Sequence, residues 1–263
     1  MVKRLTFLVC LICSQIAHAQ ILNIEKSSLD GDTTRKFLGN LTAGLVLYNR
    51  SAAVSEPVEF FGFDWKSNIA WFPARHRVSS ITNINYLKIN EEPFLNTGYQ
   101  HIRVDFLKDR KVHPEVFLQY QYDNFRGLSP RLLGGTGIRH RLFSNEQVSI
   151  IYSLGIMYES ERWSHPISEE VVVAEFWKST NYLVFRAKIS EWADFNTIQY
   201  FQTAYDGEID AFRHRYNTDI NLNTRLTSKL LWTSSFTLSY ENRPIVPITR
   251  TIYRFSNGIT VKF

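Results

Sequence analysis

The feature that most constrains this sequence is the alternation of side chains in its C-terminal residues 248–263. An apolar set falls on odd positions and a polar or cationic set on even positions; the two sets are Tyr253, Phe255, Ile259, Val261 and Phe263, and Arg250, Arg254, Ser256, Gly258, Thr260 and Lys262. A period of two places these sets on opposite faces of a β-strand. In a soluble sheet the polar face meets water, whereas in a membrane barrel the apolar face meets lipid and the polar face lines the interior.

The same alternation recurs along the chain and predicts about twelve strands. Besides the terminal strand, the predicted segments are residues 37–48, 59–72, 76–88, 96–108, 112–125, 128–143, 147–160, a strand within 170–191, 194–205, 209–226 and 229–243. The clearest is 147–160, where the even positions from Val148 to Tyr158 are apolar or aromatic. An even strand count is typical of single-chain bacterial barrels. The sequence therefore predicts an all-β fold, a single antiparallel up-and-down transmembrane β-barrel over residues 37–263.

The connections between these segments give a second argument for a barrel. Longer or turn-rich links, at residues 49–57, 90–95, 161–169, 206–208 and 244–247, alternate with tight links at 73–75, 109–111, 144–146 and 227–228. Outer-membrane barrels have short periplasmic turns and longer outer loops. The pattern favours a barrel with both termini in the periplasm, and a secreted soluble β-protein is the alternative.

The N-terminus has the organisation of a secretory signal. Lys3 and Arg4 precede an apolar run, and Ala17-His18-Ala19 has the small-x-small pattern of a cleavage site, so we predict a signal peptide at residues 1–19 and a periplasmic lead-in at 20–36. A lipoprotein signal is the alternative reading, because Cys10 and Cys13 lie in this segment. Cleavage after residue 19 would remove both cysteines, which excludes disulfides and thiolate chemistry from the mature chain. The predicted location is the outer membrane.

Composition excludes some partners. The formal net charge is +5, and no Lys/Arg cluster forms a contiguous stripe, so we expect no nucleic-acid partner. No pair of histidines has metal-ligand spacing, and no cofactor, metal or catalytic site is predicted. The expected partners are outer-membrane lipids and the barrel-assembly machinery.

Residues 117–142 (FLQYQYDNFRGLSPRLLGGTGIRHRL) resemble the signature of the domain of unknown function 481 family, some members of which are called salt-induced outer-membrane proteins. The ending 256–263 (SNGITVKF) is also similar to that family, and the resemblance spans roughly residues 37–263. It implies a small outer-membrane barrel of unsettled activity, with no catalytic residues to transfer. The terminal Phe263 resembles the signal by which such barrels are recognised for assembly.

Residues predicted to line the interior are mostly charged: Arg103, Asp105, Glu115, Asp123, Arg131, Arg139, Arg141, Arg186, Lys188, Arg213, Arg215, Arg225, Arg250 and Arg254. Gly134, Gly135 and Gly137 lie in mid-strand, and Gly135 and Gly137 are expected to make room inside for long arginines from neighbouring strands. The first hypothesis is a structural or stress-related envelope barrel whose lumen is filled by these side chains. Because cations outnumber acids in this set, a weakly anion-selective pore is the alternative.

Two further functional classes occur among outer-membrane barrels. A partner-binding barrel would use exposed outer-loop residues, for which Arg162, Trp163, His165 and residues 244–247 are the candidates. An outer-membrane lipid hydrolase needs a serine beside a histidine, and His76 and Ser79 fall on opposite faces of one predicted strand. The chain is therefore predicted not to be an enzyme.

Overall fold

The computed structural model of the protein describes residues 36–50, 58–168, 170–227 and 230–261. These residues form twelve strands and one short 3-10 helix, Asn124–Arg126, between the fifth and sixth strands. The strands are β1 (Phe37–Arg50), β2 (Val58–Trp71), β3 (Arg77–Ile89), β4 (Glu92–Asp105), β5 (Val112–Asp123), β6 (Leu128–Ser144), β7 (Val148–Ser164), β8 (Val171–Lys188), β9 (Ala193–Asp206), β10 (Ala211–Arg225), β11 (Leu230–Glu241) and β12 (Thr251–Val261). None of the described residues belongs to a helix long and apolar enough to cross a membrane.

All twelve strands belong to one sheet, in which each strand pairs antiparallel with the next along the chain. The predicted all-β, up-and-down antiparallel architecture with twelve strands is confirmed. The largest boundary errors are of four residues: β4 begins at Glu92 rather than at residue 96, and β7 ends at Ser164 rather than at residue 160. Asn90 has a φ of 56°, a left-handed conformation that Asn tolerates, so β3 and β4 join through a tight turn.

The predicted alternation of long and short links is wrong. We call the end of the sheet where β1 begins the lower rim and the end where β1 stops the upper rim. At the upper rim only residues 90–91 separate β3 from β4, whereas residues 106–111 separate β4 from β5 at the lower rim. Link length therefore does not distinguish the two rims consistently.

The two faces of the sheet differ in a way that reverses the arrangement of a soluble protein. The outward face carries large apolar side chains, such as Leu118 and Trp177, each 65 % exposed. The inward face carries charged side chains, and Arg103, Asp105 and Glu159 have at most 2 % of their surface exposed. Soluble proteins bury apolar groups and rarely bury Asp, Glu or Arg. The outward surface is therefore built for contact with an apolar medium.

The sheet curls around an interior, because inward side chains from distant strands touch. Arg103 on β4 donates to the hydroxyl groups of Tyr182 on β8 (3.2 Å) and Tyr200 on β9 (3.4 Å). No ladder between β1 and β12 occurs within the described residues, and both strands border residues outside them.

At the mid-strand glycines of β6, neighbouring groups occupy the space that a side chain would need. A Cβ at Gly135 would lie 2.6 Å from the Phe117 ring and 2.6 Å from the backbone oxygen of Ile156, and one at Gly137 would lie 3.1 Å from Glu115 Oε1. These inward glycines therefore make room for Phe117 and Glu115, and the expectation that they accommodate arginines is wrong. Gly134 faces outward, where a Cβ would lie 2.9 Å from Leu118.

Candidate functional site

A layer of charged and tyrosine side chains crosses the lower half of the interior. We call it the closing layer; it consists of Arg77, Arg103, Asp105, Glu115, Arg139, Tyr182 and Tyr200. Strands β3 to β6 supply its charges, and β8 and β9 supply its tyrosines. The layer therefore links one wall of the interior to the opposite wall.

Tyr182 holds the closing layer together. Its hydroxyl donates to Glu115 Oε2 (2.7 Å) and accepts from Arg103 Nη1 (3.2 Å) and Arg139 Nη1 (3.1 Å). The Arg103 guanidinium also lies over the Tyr182 ring, 5.0 Å from its centroid. Charge-assisted hydrogen bonds and cation–π contacts are both strengthened where water is excluded.

The arginines of the closing layer also form ion pairs with its carboxylates. Arg77 binds Asp105 through Nε and Nη2, each 2.6 Å from Oδ2. Arg103 Nη1 lies 3.6 Å from Glu115 Oε2. Two buried carboxylates are thus shared among three buried arginines, and each arginine of the layer lies within 4 Å of a carboxylate oxygen.

Apolar side chains pack beside the closing layer inside the sheet. They form one buried cluster with its tyrosines: Ile81, Tyr99, Ile151, Tyr182, Val184, Ile198 and Tyr200. These residues come from β3, β4, β7, β8 and β9, so this part of the interior is filled by packed side chains.

A second group of charges lies nearer the upper rim. We call it the upper charge cluster; it consists of Arg131, Glu159, Glu161, Lys178, Arg215 and Glu241. Glu159 is fully buried and contacts Arg131, Lys178 and Arg215. Arg215 also binds Glu161 (2.7 Å) and Glu241 (3.2 Å). Three cations and three carboxylates thus neutralise one another along the wall from β6 to β11.

A cavity of about 960 Å³ lies between the closing layer and the upper rim. Arg103, Glu115, Tyr182 and Tyr200 form its floor. Its walls combine aromatic, amide and thioether side chains with members of the upper charge cluster. This volume is within the range of about 300–1,000 Å³ found for small-molecule sites.

The link between β11 and β12 folds over the mouth of this cavity. Val246 in that link packs against Leu128 and Trp163, and all three are at least 98 % buried. Trp163 Nε1 donates to Glu161 Oε2 (3.0 Å). Trp163 is thus an interior anchor, and its predicted role as an exposed partner-binding residue is wrong.

Two other residues near the upper rim have structural roles. Arg126 stands 5.7 Å from the Trp163 ring centroid, and burial lowers the pKa of its guanidinium despite the nearby Glu241 and Asp123 carboxylates. His165 Nδ1 accepts hydrogen bonds from the backbone N–H groups of Ile167 and Ser168, which organises the β7–β8 link.

The residues predicted to line the interior fall into three groups by exposure. Six are buried within it: Arg103, Asp105, Glu115, Arg131, Arg139 and Arg215. Half-buried positions are Asp123, Arg141, Arg186, Arg213 and Arg254. The side chains of Lys188, Arg225 and Arg250 are exposed at or beyond strand ends, and Arg250 lies in the link before β12. The predicted signal peptide, the lead-in up to residue 35 and Phe263 lie outside the described residues.

The excess of cations in the predicted set is offset in part by acidic residues that the prediction did not include. Arg131 and Arg215 bind Glu159 and Glu161, and Arg213 binds Asp206 (2.6 Å). Glu159 and Glu161 occupy odd positions of β7, on the face opposite its apolar even positions. The alternation of β7 therefore already predicts that both glutamates point inward. Tyr182 and Tyr200 were missed because an inward tyrosine has no distinctive pattern in the sequence.

Comparison with known proteins identifies a family. The profile of the family described as "Protein of unknown function, DUF481" matches residues 61–263. The chain belongs to the DUF481 family. Comparison with curated protein sequences gives no match.

Among solved structures, the DUF481 chain aligns with OmpT, an outer membrane protein of Vibrio cholerae folded in vitro. The identity is 7 % and the TM-score is 0.29, with 86 % of this chain and 98 % of that chain covered. So distant a likeness carries no functional inference.

Proposed function

We propose that this DUF481 protein is an outer-membrane β-barrel, closed by pairing of β1 with β12, whose lumen is sealed by the closing layer. It would serve as an envelope barrel without a continuous water path. The observation that carries the proposal is the reversed distribution of side chains, with apolar residues outward and paired charges inward.

Membrane insertion follows from the energetics of the outward face. Residues such as Leu118, Leu154 and Phe255 expose more than half of their surface, and burying a side chain of this kind in an apolar medium is worth about 1.5–3 kcal/mol. In lipid an unpaired backbone group costs several kcal/mol, which is why we expect β1 and β12 to pair.

Aromatic pairs near both rims support the same placement. Phe37 and Trp71 stack near the lower rim with ring centroids 6.0 Å apart, and Tyr205 and Phe212 meet edge-to-face near the upper rim at 5.4 Å. Aromatic belts at the two membrane–water interfaces are typical of outer-membrane barrels. β1 begins and β12 ends at the lower rim, and the longest described link, residues 242–250, lies at the upper rim. We therefore propose that the upper rim faces outward, with both termini in the periplasm.

Sealing of the lumen is supported by the contacts of the closing layer. Its charges are bound to one another and to Tyr182 and Tyr200, and the apolar cluster fills the space beside them. In the upper charge cluster three cations and three carboxylates neutralise one another, which weakens the basis for anion selectivity there. The weakly anion-selective pore remains the alternative that an electrical measurement separates from a sealed barrel.

No catalytic activity is proposed. His76 Nδ1 accepts from the backbone N–H of Leu107 (3.3 Å), and the Ser79 hydroxyl donates to the Arg103 carbonyl (3.5 Å). Both groups therefore bind backbone rather than each other. Two candidate contact residues of the partner-binding alternative, Trp163 and Val246, are buried in the interior and do not offer an exposed surface to a partner.

Planar-bilayer conductance of the refolded protein tests the sealed lumen. The wild-type protein is expected to give no stable openings, whereas Tyr182→Ala/Tyr200→Ala should give discrete openings because it removes both bridging rings. Tyr120→Ala/Tyr253→Ala is the matched control, since these tyrosines face outward, and it should stay silent. Steady anion-selective openings of the wild-type protein would contradict the proposal and favour the pore.

A further inference from the structure

Side chains that line the cavity above the closing layer carry buried polar atoms for which no hydrogen-bond partner occurs among the described residues. His101 Nε2 and Gln202 Oε1 are two such atoms, and both side chains line the cavity and are at least nine-tenths buried. Arg103 Nε, on the floor, is a third. Buried polar groups are almost always hydrogen-bonded, so a group of three in one cavity indicates that something else binds there.

A chain of hydrogen bonds determines which ring nitrogen of His101 donates and which accepts. Arg131 Nη1 donates to Gln121 Oε1 (3.2 Å), which also accepts from Gln119 Nε2 (3.2 Å). Gln119 Oε1 is therefore an acceptor, and it receives the Tyr99 hydroxyl (3.3 Å) and His101 Nδ1 (3.3 Å). Since Arg131 can only donate, the sequence of donors is fixed. His101 Nδ1 carries a proton, and Nε2 of the neutral ring is an acceptor.

Gln202 offers an acceptor as well. Its Nε2 lies 3.5 Å from Thr180 Oγ1 and 3.9 Å from Met157 Sδ, which leaves the amide oxygen unused. Arg103 Nε is a donor. A hydroxyl group both donates and accepts, so hydroxyl groups can satisfy all three positions.

The charge around the cavity argues against an ionic ligand. Arg131 and Arg215 are bound to Glu159 and Glu161, and Arg103 is bound to Glu115. At the floor and along this wall, a charged ligand would have to break one of these buried pairs, which leaves an uncompensated ion. Arg126 also lines the cavity, near its mouth, with the Glu241 and Asp123 carboxylates beside it. The cavity therefore suits a neutral molecule.

The apolar part of the wall adds a second requirement. Tyr99, His101 and Phe117 form a row of rings with centroid separations of 6.2 and 5.9 Å, and Leu133 and Met157 line the same cavity. Ring and thioether surfaces favour contact with C–H groups. The ligand should then carry both hydroxyl groups and C–H faces.

We propose that this cavity binds a neutral saccharide of one or two residues, held by His101 and Gln202 and packed against the row of rings. The inference rests on the proposed sealed barrel, because the closing layer is the floor on which the ligand would stop. Access would be from the upper rim, beside the β11–β12 link.

Isothermal titration calorimetry on the refolded full chain in detergent tests this inference. The probes are glucose, maltose and trehalose, with gluconate and glucosamine as anionic and cationic counterparts. At least one neutral sugar should bind, and the two charged sugars should bind at least tenfold more weakly. His101→Phe and Gln202→Leu should each weaken binding of the neutral sugar about tenfold, the usual effect of losing one hydrogen bond.

Matched controls separate a lost contact from a lost fold. His214→Phe changes a histidine on the outward face, where its ring stacks on Phe201 and Phe212, and Gln100→Leu changes a glutamine bound to Thr82 and Ser80. Both controls should bind like the wild-type protein. Folding of every variant is checked by heat-modifiable gel mobility.

Three outcomes would overturn the inference: no binding of any neutral probe, tighter binding of a charged probe, or equal losses in the controls and the cavity variants. The conductance experiment distinguishes this failure from failure of the proposed function. A barrel silent in bilayers that binds no sugar refutes only the saccharide site, whereas stable wild-type openings refute the sealed lumen.

Discussion

The closing layer and the upper charge cluster contain similar ions but occupy the interior differently. In the closing layer, Tyr182 and Tyr200 extend from the opposite wall and an apolar cluster packs beside them. In the upper charge cluster, arginine, lysine and glutamate pair with one another around Glu159, and a cavity remains beside them. Paired charges alone therefore leave space in the lumen, whereas tyrosine rings that reach across it fill that space.

The largest expected effect on stability is that of Glu159→Ala. Arg131, Lys178 and Arg215 would lose their shared carboxylate in a buried site, so we expect the free energy of unfolding to fall by about 3–5 kcal/mol. Urea titration of the protein folded in lipid vesicles measures this. The variant should nevertheless give no channel openings in planar-bilayer conductance measurements, because the closing layer is intact.

The control for this variant is Glu175→Ala, which removes an exposed glutamate that accepts from the Ser160 hydroxyl on the outward side. It should change the unfolding free energy little. Channel openings of Glu159→Ala would show that the upper charge cluster also seals the lumen. The proposed difference between this cluster and the closing layer would then be wrong.

A smaller effect is expected from Tyr182→Phe, which removes one hydroxyl from the closing layer. That hydroxyl binds Arg103, Arg139 and Glu115, and hydrogen bonds to charged groups are worth about 1.5–3 kcal/mol. Tyr99→Phe removes a hydroxyl bound only to the neutral Gln119 amide, so it should cost about 0.5–1.5 kcal/mol. Equal urea midpoints for the two variants would show that the charges add nothing at the closing layer.

The smallest effect is expected from Arg75→Ala, which breaks an ion pair outside both regions. Arg75 Nε and Asp109 Oδ2 are 3.5 Å apart at the lower rim, and both side chains are more than half exposed. Exposed pairs contribute about 0–1 kcal/mol. A loss in the urea titration comparable with that of Tyr182→Phe would mean that burial does not set the strength of these ion pairs.

The strands could be predicted from the sequence because alternation is a local property. Residues 147–160 show it, and β7 begins at Val148 with the predicted even positions Leu154 and Ile156 facing outward. Link lengths were less informative, since one residue in a left-handed conformation, Asn90, turns an expected loop into a tight turn.

The composition of the interior could be predicted only in part. Alternation assigns Arg103 and Arg139 to the inward face, but it does not say which residues they meet across the sheet. The meeting of Arg103 on β4 with Tyr182 on β8 depends on how the three intervening strands pair and how strongly the sheet curls. The same holds for Trp163, whose burial under Val246 depends on a link that folds back over the mouth.

The proposed barrel requires that the outward face meets lipid and that the inward face is enclosed. A single-cysteine spin-label scan of residues 150–158 in β7, with the protein refolded in lipid vesicles and without the predicted signal peptide, tests it directly. Even positions should be accessible to oxygen dissolved in lipid and inaccessible to a water-soluble nickel chelate, with a strict period of two. Accessibility to the chelate at Leu154 and Ile156, or the absence of alternation, would contradict the account.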